Sequence, residues 1–282
     1  MATEAKQCFE LIAQKEQSAL SLLQDTGLSV ARLKYAAQQG SVWVQSARGK
    51  AKRLRRIKKS LQQGDKLWLY YDPDILDSEV TDATLIIDKT DYSIWFKPRG
   101  MFSQPSKWSD TNSISRNVEL QLSRPTYLVH RLDRMTAGLI ILAHKRSFVE
   151  TFTSAFSTGS VRKIYRAVIK GRGIDKPMEV NEPLDGKPAH SIIRSLRFDG
   201  QSGQSLLEVE IKSGKKHQIR RHLAFLNCPI VGDRLYGDPH DQEDLQLVAT
   251  ELTFQCPVTN ESMHIQLDKQ ILNESLLLGT NP

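Results

Sequence analysis

Cysteine is scarce in this sequence: three residues, Cys8, Cys228 and Cys256, lie far apart along 282 positions. That excludes a disulfide framework and a zinc site built from close C-x-x-C pairs. No apolar run approaches the roughly 20 residues that a membrane helix needs. The first residues, "MATEAKQCFELIAQKEQ", interleave charge with apolar side chains, so no secretory leader is expected and a cytoplasmic location is. Internal repeats and low-complexity tracts are also missing, which excludes a solenoid. There is no G-x-G-x-x-G, no Walker loop and no metal-ligand spacing, so neither a cofactor nor a metal is expected.

What is present is positive charge. Lys and Arg number 39 against 32 Asp and Glu, a net charge of +7, and the excess is concentrated. Residues 50–59, "KAKRLRRIKK", carry Lys50, Lys52, Arg53, Arg55, Arg56, Lys58 and Lys59. Solvated faces usually mix signs; a run of one sign fits contact with a phosphate backbone, whose neutralisation supplies most nucleic-acid affinity.

Around that run the pattern alternates between elements. Residues 4–24 place Phe9, Ile12, Leu20 and Leu23 at helical spacing. Ser29 is an N-cap for a second helix that Gly40 ends. "SVWV" and "KLWLYYD" read as strands. The acidic, proline-bearing stretch "DPDILDSEVTDA" reads as a linker, which gives an N-terminal domain over 1–76 and a second domain over 77–282, with the boundary near residue 80. Beyond it, strand-like runs outnumber helical candidates at 111–122, 146–157, 216–227 and 268–278. Consecutive strands without strict alternation imply an α+β domain around a mixed, mainly antiparallel sheet.

One segment of that domain poses a chemical question. "TYLVHRLDRMTAGLIILA" (126–143) sets Asp133 between apolar runs. An isolated carboxylate in apolar surroundings is costly unless paired. Arg131 shares its face if the segment is extended, and Gly138 permits close approach of backbone or ligand. Two further segments have the same character. In "RKIYRAVIKG", Tyr165 stands among Lys163, Arg166 and Lys170, and aromatic rings amid basic residues stack on bases. In "SGKKHQIRRHLAF", Arg220 lies partly on an apolar helix face and requires a carboxylate.

These segments, with "WFKPRGMFSQPS" upstream, resemble the RluA-type pseudouridine synthase family over roughly residues 80–270. The family's H-R-L-D-R-x-T-S-G-L pattern is His130 to Leu139, with Ala137 where serine is usual. K-x-Y-x-A is met by Lys163, Tyr165 and Ala167. G-R-x-H-Q-I-R-x-H is met by Gly214, His217, Gln218, Ile219, Arg220 and His222, with Lys215 replacing the first arginine; K-P-x-G is Lys97, Pro98 and Gly100. Residues 15–72 resemble the S-four type RNA-binding domain, a small α/β module.

The first resemblance implies isomerisation of uridine. The bond from uracil nitrogen 1 to the ribose breaks, the base rotates, and carbon 5 takes the nitrogen's place. It implies that Asp133 is the catalytic carboxylate, with attack on the sugar, addition to the ring and action as a base all open. Arg220 is expected to keep Asp133 ionised and aligned. Tyr165 is expected to pack on the target base and is a candidate for deprotonating carbon 5, while Ile219 closes the apolar side. Lys97 and Lys163 are expected substrate contacts, and Arg131 is expected to fill the stack vacated by the flipped uridine. His130 and His217 are expected to hold backbone and loops. The partner is RNA, ribosomal before transfer RNA, and the chain is expected to be a monomer off the membrane. Two other readings are a noncatalytic RNA-binding or ribosome-assembly protein, and a sugar hydrolase pairing Asp133 with a second acid such as Asp233.

Overall fold

The computed structural model describes residues 5–47, 49–79 and 81–277. The outermost residues of the two expected terminal helices, residue 48 beside the basic run, and the expected boundary at 80 lie outside them. The chain divides into two compact units, residues 1–81 with 104–121, and residues 82–103 with 122–282.

In the first unit, β1 (Gln7–Ile12), β2 (Gln17–Ser18), α1 (Ala19–Leu23), a 3-10 turn, α2 (Val30–Gln38), β3 (Val42–Gln45), β4 (Lys52–Arg53), β5 (Ser60–Leu61), β6 (Lys66–Tyr71), α3 (Pro73–Leu76) and α4 (Ile114–Leu122) follow in order. The sheet runs β1-β6-β3-β4, with β2 and β5 paired separately. Leu67, Leu69 and Tyr71 of β6 and Val42 and Val44 of β3 turn inward onto Leu23, Leu33 and Leu61. As expected, the Ser29 hydroxyl caps α2 by accepting from the Arg32 amide.

The N-terminal helix is corrected by the structure. Residues 7–12 form a strand, each paired antiparallel with β6 from Tyr71 back to Lys66. Phe9 and Leu11 pack on the core, whereas Ile12 is 45% exposed. The Phe9-to-Ile12 spacing imitated a helical stripe; the period of two prevailed because β6 offers a hydrogen-bonding edge.

Segment 104–121 also departs from the expected division, since it packs with the N-terminal unit. The Asp110 carboxylate accepts from Arg55 (2.6 and 2.8 Å) and ion-pairs with Arg53 at 3.2 Å. The Ser41 hydroxyl donates to the Trp108 carbonyl. This long-range carboxylate could not be seen in a local charge count.

The second unit holds β7 (Thr84–Asp88), β8 (Tyr92–Lys97), β9 (Tyr127–Leu128), β10 (Ala137–Ala143), α5 (Arg146–Ser157), β11 (Arg162–Lys170), β12 (Met178–Val180), β13 (Ser191–Asp199), β14 (Gln204–Ile211), α6 (Gln218–Phe225), β15 (Leu247–Gln255), β16 (Ser262–Gln266) and α7 (Lys269–Ser275). It is α+β: one ten-stranded sheet ordered β12-β13-β14-β11-β15-β10-β8-β7, with β16 on β15 and β9 on β10. The one parallel pairing among the described strands is β10 with β15. Ile94, Leu139, Ile141, Phe152, Val168 and Val248 belong to its main core. All seven residues of β10 are buried, which is why its sequence is a continuous apolar run rather than an alternation.

Gly138 fixes the start of β10. A β-carbon there would lie 2.2 Å from the Ala249 carbonyl oxygen, and its φ is +119°. The close approach foreseen at this glycine is therefore that of strand β15. Ala137 beside it is 1% exposed within the apolar core, a place where a methyl group needs no hydrogen-bond partner.

Candidate active site

The segment between β9 and β10 that carries Asp133 is clamped at both sides. The Ser103 hydroxyl donates to the Leu132 carbonyl (2.6 Å) and accepts from the Leu132 amide (3.0 Å). The Gly100 amide donates to the Arg134 carbonyl, and the Arg134 Nε donates back to the Gly100 carbonyl. Leu132 itself is buried. His130, its pKa pushed down to about 3 by burial and by Lys163, accepts the Ile141 amide at Nε2. Asp133 thus sits on a short rigid loop.

Lys97 is a correction. It is fully buried, and its ammonium donates to the carbonyls of Pro98 (3.0 Å), Met101 (2.8 Å) and Arg134 (3.2 Å). It fastens the "KPRGM" turn to the Asp133 loop and does not line the pocket. Burial pushes its pKa down to about 7 against the favourable charge of Asp133. An unfolded lysine keeps its proton to about 10.4, so between those two values the unfolded chain binds more protons. Folding stability is therefore expected to rise with pH from about 7 to about 10.4 by this residue's contribution. Denaturant midpoints at pH 7 and pH 9 check this: Lys97→Met should flatten the increase.

Lys163 is corrected likewise. It is 5% exposed, its ammonium lies 5.8 Å from the centre of the Phe156 ring, and it is not among the pocket-lining residues. Tyr165, two residues on, does line the pocket. The pairing of β11 with β15 shifts register between Ile164 and Tyr165, and such irregularities re-aim side chains. Burial first, and Asp133 second, push the Tyr165 phenol well above its ordinary range. It stays protonated at neutral pH.

The third wall is the start of α6. The Gln218 amide oxygen accepts from the Ser213 hydroxyl and the Lys215 amide, while its nitrogen donates to the His190 carbonyl and Ser191 hydroxyl. This fixes the turn that delivers His217, Ile219 and Arg220. Ile219 is 5% exposed and lines the pocket.

Arg220 differs from expectation. Its Nε and terminal nitrogen donate to the two oxygens of Asp233 at 2.8 and 2.7 Å. Asp233 has no exposed side-chain surface and also accepts the amides of Leu235 and Tyr236. A wholly buried carboxylate claims the guanidinium fork because it has no water to solvate it. Burial alone would raise the Asp233 carboxyl, but Arg220 and the two amides outweigh it and hold it below the ordinary carboxylate range. For Arg220, burial is outweighed by Asp233, with Asp133 adding to the same side. Arg220 therefore acts on Asp133 through its field.

Asp133 meets an ionisable partner in His217, Nε2 to Oδ1 3.8 Å. Its side chain is 32% exposed, so Asp133 stays open to solvent while the Arg220 fork is committed to Asp233. Arg131 is exposed at the same cleft. Asp133, Arg131, Tyr165, Ile219 and Arg220 line one open pocket. The sequence reading missed the contributions of Thr136, Ile211 and Leu247 to this wall, and no motif marked the last two. His217 had a signal: three residues before Arg220 at a helix start, it shares a face with it.

A known family covers Asp133, Tyr165, Ile219 and Arg220. The model of the RNA pseudouridylate synthase family matches residues 91–225. The chain is 29% identical over 203 residues to tRNA pseudouridine synthase C of Vibrio parahaemolyticus, covering 59% of this chain and 82% of that one. It is 28% identical over 213 residues to ribosomal large subunit pseudouridine synthase D of Borreliella burgdorferi, covering 64% of each. Among solved structures, human RNA pseudouridylate synthase domain containing 1 shares the fold, with a TM-score of 0.59 at 17% identity, covering 72% of this chain and 93% of that one. The matched domain, residues 91–225, is that of an RNA pseudouridylate synthase.

Proposed function

We propose that this pseudouridine synthase modifies uridines in structured ribosomal RNA with Asp133 as its reacting carboxylate. The observation that carries the reading is the convergence of Asp133, Arg131, Tyr165, Ile219 and Arg220 on one pocket from three separate stretches of chain. The base must leave its stack to reach Asp133, at a cost of a few kcal/mol. Tyr165 and Ile219 offer the flat and apolar walls that a flipped uracil needs. A phenol held protonated suits Tyr165 to packing and donation rather than to removing the carbon 5 proton. Arg131, exposed at the cleft, is suited to fill the vacated stack.

The N-terminal unit is proposed as an S-four-like RNA-binding module. Among the described residues of its basic segment, Lys50, Lys52, Arg56, Lys58 and Lys59 are exposed and stand apart from the ion pairs with Asp110 that hold Arg53 and Arg55. Replacing Arg56, Lys58 and Lys59 by glutamine should weaken RNA binding at every sequence. It should also reduce the slope of log K against log salt by about 0.7–0.9 for each phosphate that is no longer neutralised. Titrations at three salt concentrations check this. Removing Arg53 and Arg55 together should instead lower the stability of the unit, because it strands a buried Asp110 that either arginine alone can still pair.

Relatives act by name on both transfer and ribosomal RNA. Mapping pseudouridine in both RNA classes, from cells with and without the gene, tests the assignment. Loss of a ribosomal site is expected. Loss confined to transfer RNA would move the substrate, and no loss in either would overturn the proposal.

A further inference from the structure

His217 lines the pocket, yet the chemistry proposed above leaves it without a task. Its backbone is left-handed, φ 53° and ψ 31°, immediately before α6. That region costs a residue with a β-carbon on the order of 1–2 kcal/mol, and glycine or asparagine adopts it more readily. A position that serves only the turn is better filled by either. The imidazole is held at one nitrogen and faces Asp133 with the other. Nδ1 lies 3.0 Å from the Tyr236 hydroxyl, and Nε2 lies 3.8 Å from Asp133 Oδ1. Tyr236 is itself fixed, since its amide donates to Asp233 and the Arg220 guanidinium lies 5.1 Å from its ring centre.

We propose that His217 is a positioning residue for Asp133, with the Tyr236 hydroxyl donating to Nδ1 so that the imidazole proton stands on Nε2 and points at the carboxylate. The inference rests on Asp133 being the reacting group. A neutral N–H orients one carboxylate oxygen while leaving its charge intact, and leaves the other oxygen to the substrate. An imidazolium would instead tie Asp133 into an ion pair. The groups facing the ring act in both directions: Arg220 and Lys216 oppose protonation, Asp133 and Asp233 favour it, and Tyr236 is the hydrogen-bond partner. Burial leads the balance and lowers the imidazole pKa, in keeping with the neutral form. At 3.8 Å the contact is longer than a hydrogen bond, as catalytic contacts often are before substrate closes the site.

The test uses the full-length chain and total RNA, tritiated at uridine carbon 5, from a strain lacking the gene. His217→Ala should lower kcat on the order of 10- to 100-fold, the cost of a misplaced reacting group, with KM unchanged. His217→Gln, whose amide restores an N–H near the Nε2 position, should recover most of the loss. Nitrogen-15 spectra of the wild-type imidazole should show the proton on Nε2, a mixed tautomer in Tyr236→Phe, and a lower imidazole pKa in Asp133→Asn. An unchanged kcat in His217→Ala, a glutamine variant no better than alanine, or a proton on Nδ1 would overturn the assignment. If the wild type released no tritium, the functional reading would fail instead, and the spectra would still decide the His217–Asp133 geometry.

Discussion

Asp133→Asn should bind RNA with nearly wild-type affinity and turn it over at least about 1,000-fold more slowly, because in the proposed reaction the substitution removes the reacting group and little else. The loop that carries the side chain is held by Ser103, Gly100 and Lys97 through the backbone of residues 132 and 134. An amide of the same shape therefore leaves its position unchanged. Affinity is expected to persist because it comes chiefly from phosphate neutralisation by exposed lysines and arginines. Single-turnover assays beside equilibrium titrations separate the two effects. A variant that lost affinity and turnover in proportion would assign Asp133 to binding.

Asp233→Ala should produce the largest loss of stability among single substitutions at the site. It leaves the Arg220 guanidinium, whose side chain is 11% exposed, without the carboxylate that fills its fork. Breaking a buried pair from one side typically costs about 3–5 kcal/mol. The cost is expected in urea unfolding of the full chain, together with reduced turnover from the displaced Arg220 and Tyr236. Replacing both partners by apolar residues should cost less stability than removing Asp233 alone. The pair also carries a pH signature. The folded Asp233 carboxyl lies below its unfolded value, so its stabilisation is complete above the unfolded pKa of about 3.9. It disappears as pH falls through the folded value. In the alanine variant this acid-side loss should be absent.

These interactions mark where sequence reasoning succeeded and where it stopped. Strands β8, β10, β11 and β15 and helices α5 and α6 were legible because burial imposes periodicity or continuous apolar runs over each one. Residues 7–12 misled because six residues are too few to separate a stripe from an alternation; the edge of β6 decided it. The three stretches that meet at the pocket were recognisable from motif, since each sets polar groups at the end of an apolar element. Pairing between them was not. Arg220 was matched to Asp133 on the ground that a half-buried arginine needs an acid, and that ground was sound. The acid is Asp233, thirteen residues on, and nothing in local spacing distinguishes the two carboxylates. Only burial does: Asp233 has no solvent and Asp133 has some. Lys97 and Lys163 were misplaced for a related reason. A lysine inside a motif reads as a phosphate contact, whereas Lys97 is claimed by buried carbonyls and Lys163 is buried over the Phe156 ring. The same burial criterion weakens the hydrolase reading, because Asp233 is committed to Arg220 and has no exposed side-chain surface.

Release of tritium from carbon-5-labelled uridine, followed together with free uracil, tests the account most directly. The wild-type chain should release tritium in step with the appearance of pseudouridine and liberate no uracil, while Asp133→Ala releases none. Uracil set free without pseudouridine would make the protein a glycosidase, and no release by the wild type would contradict the assignment of this pocket to uridine isomerisation.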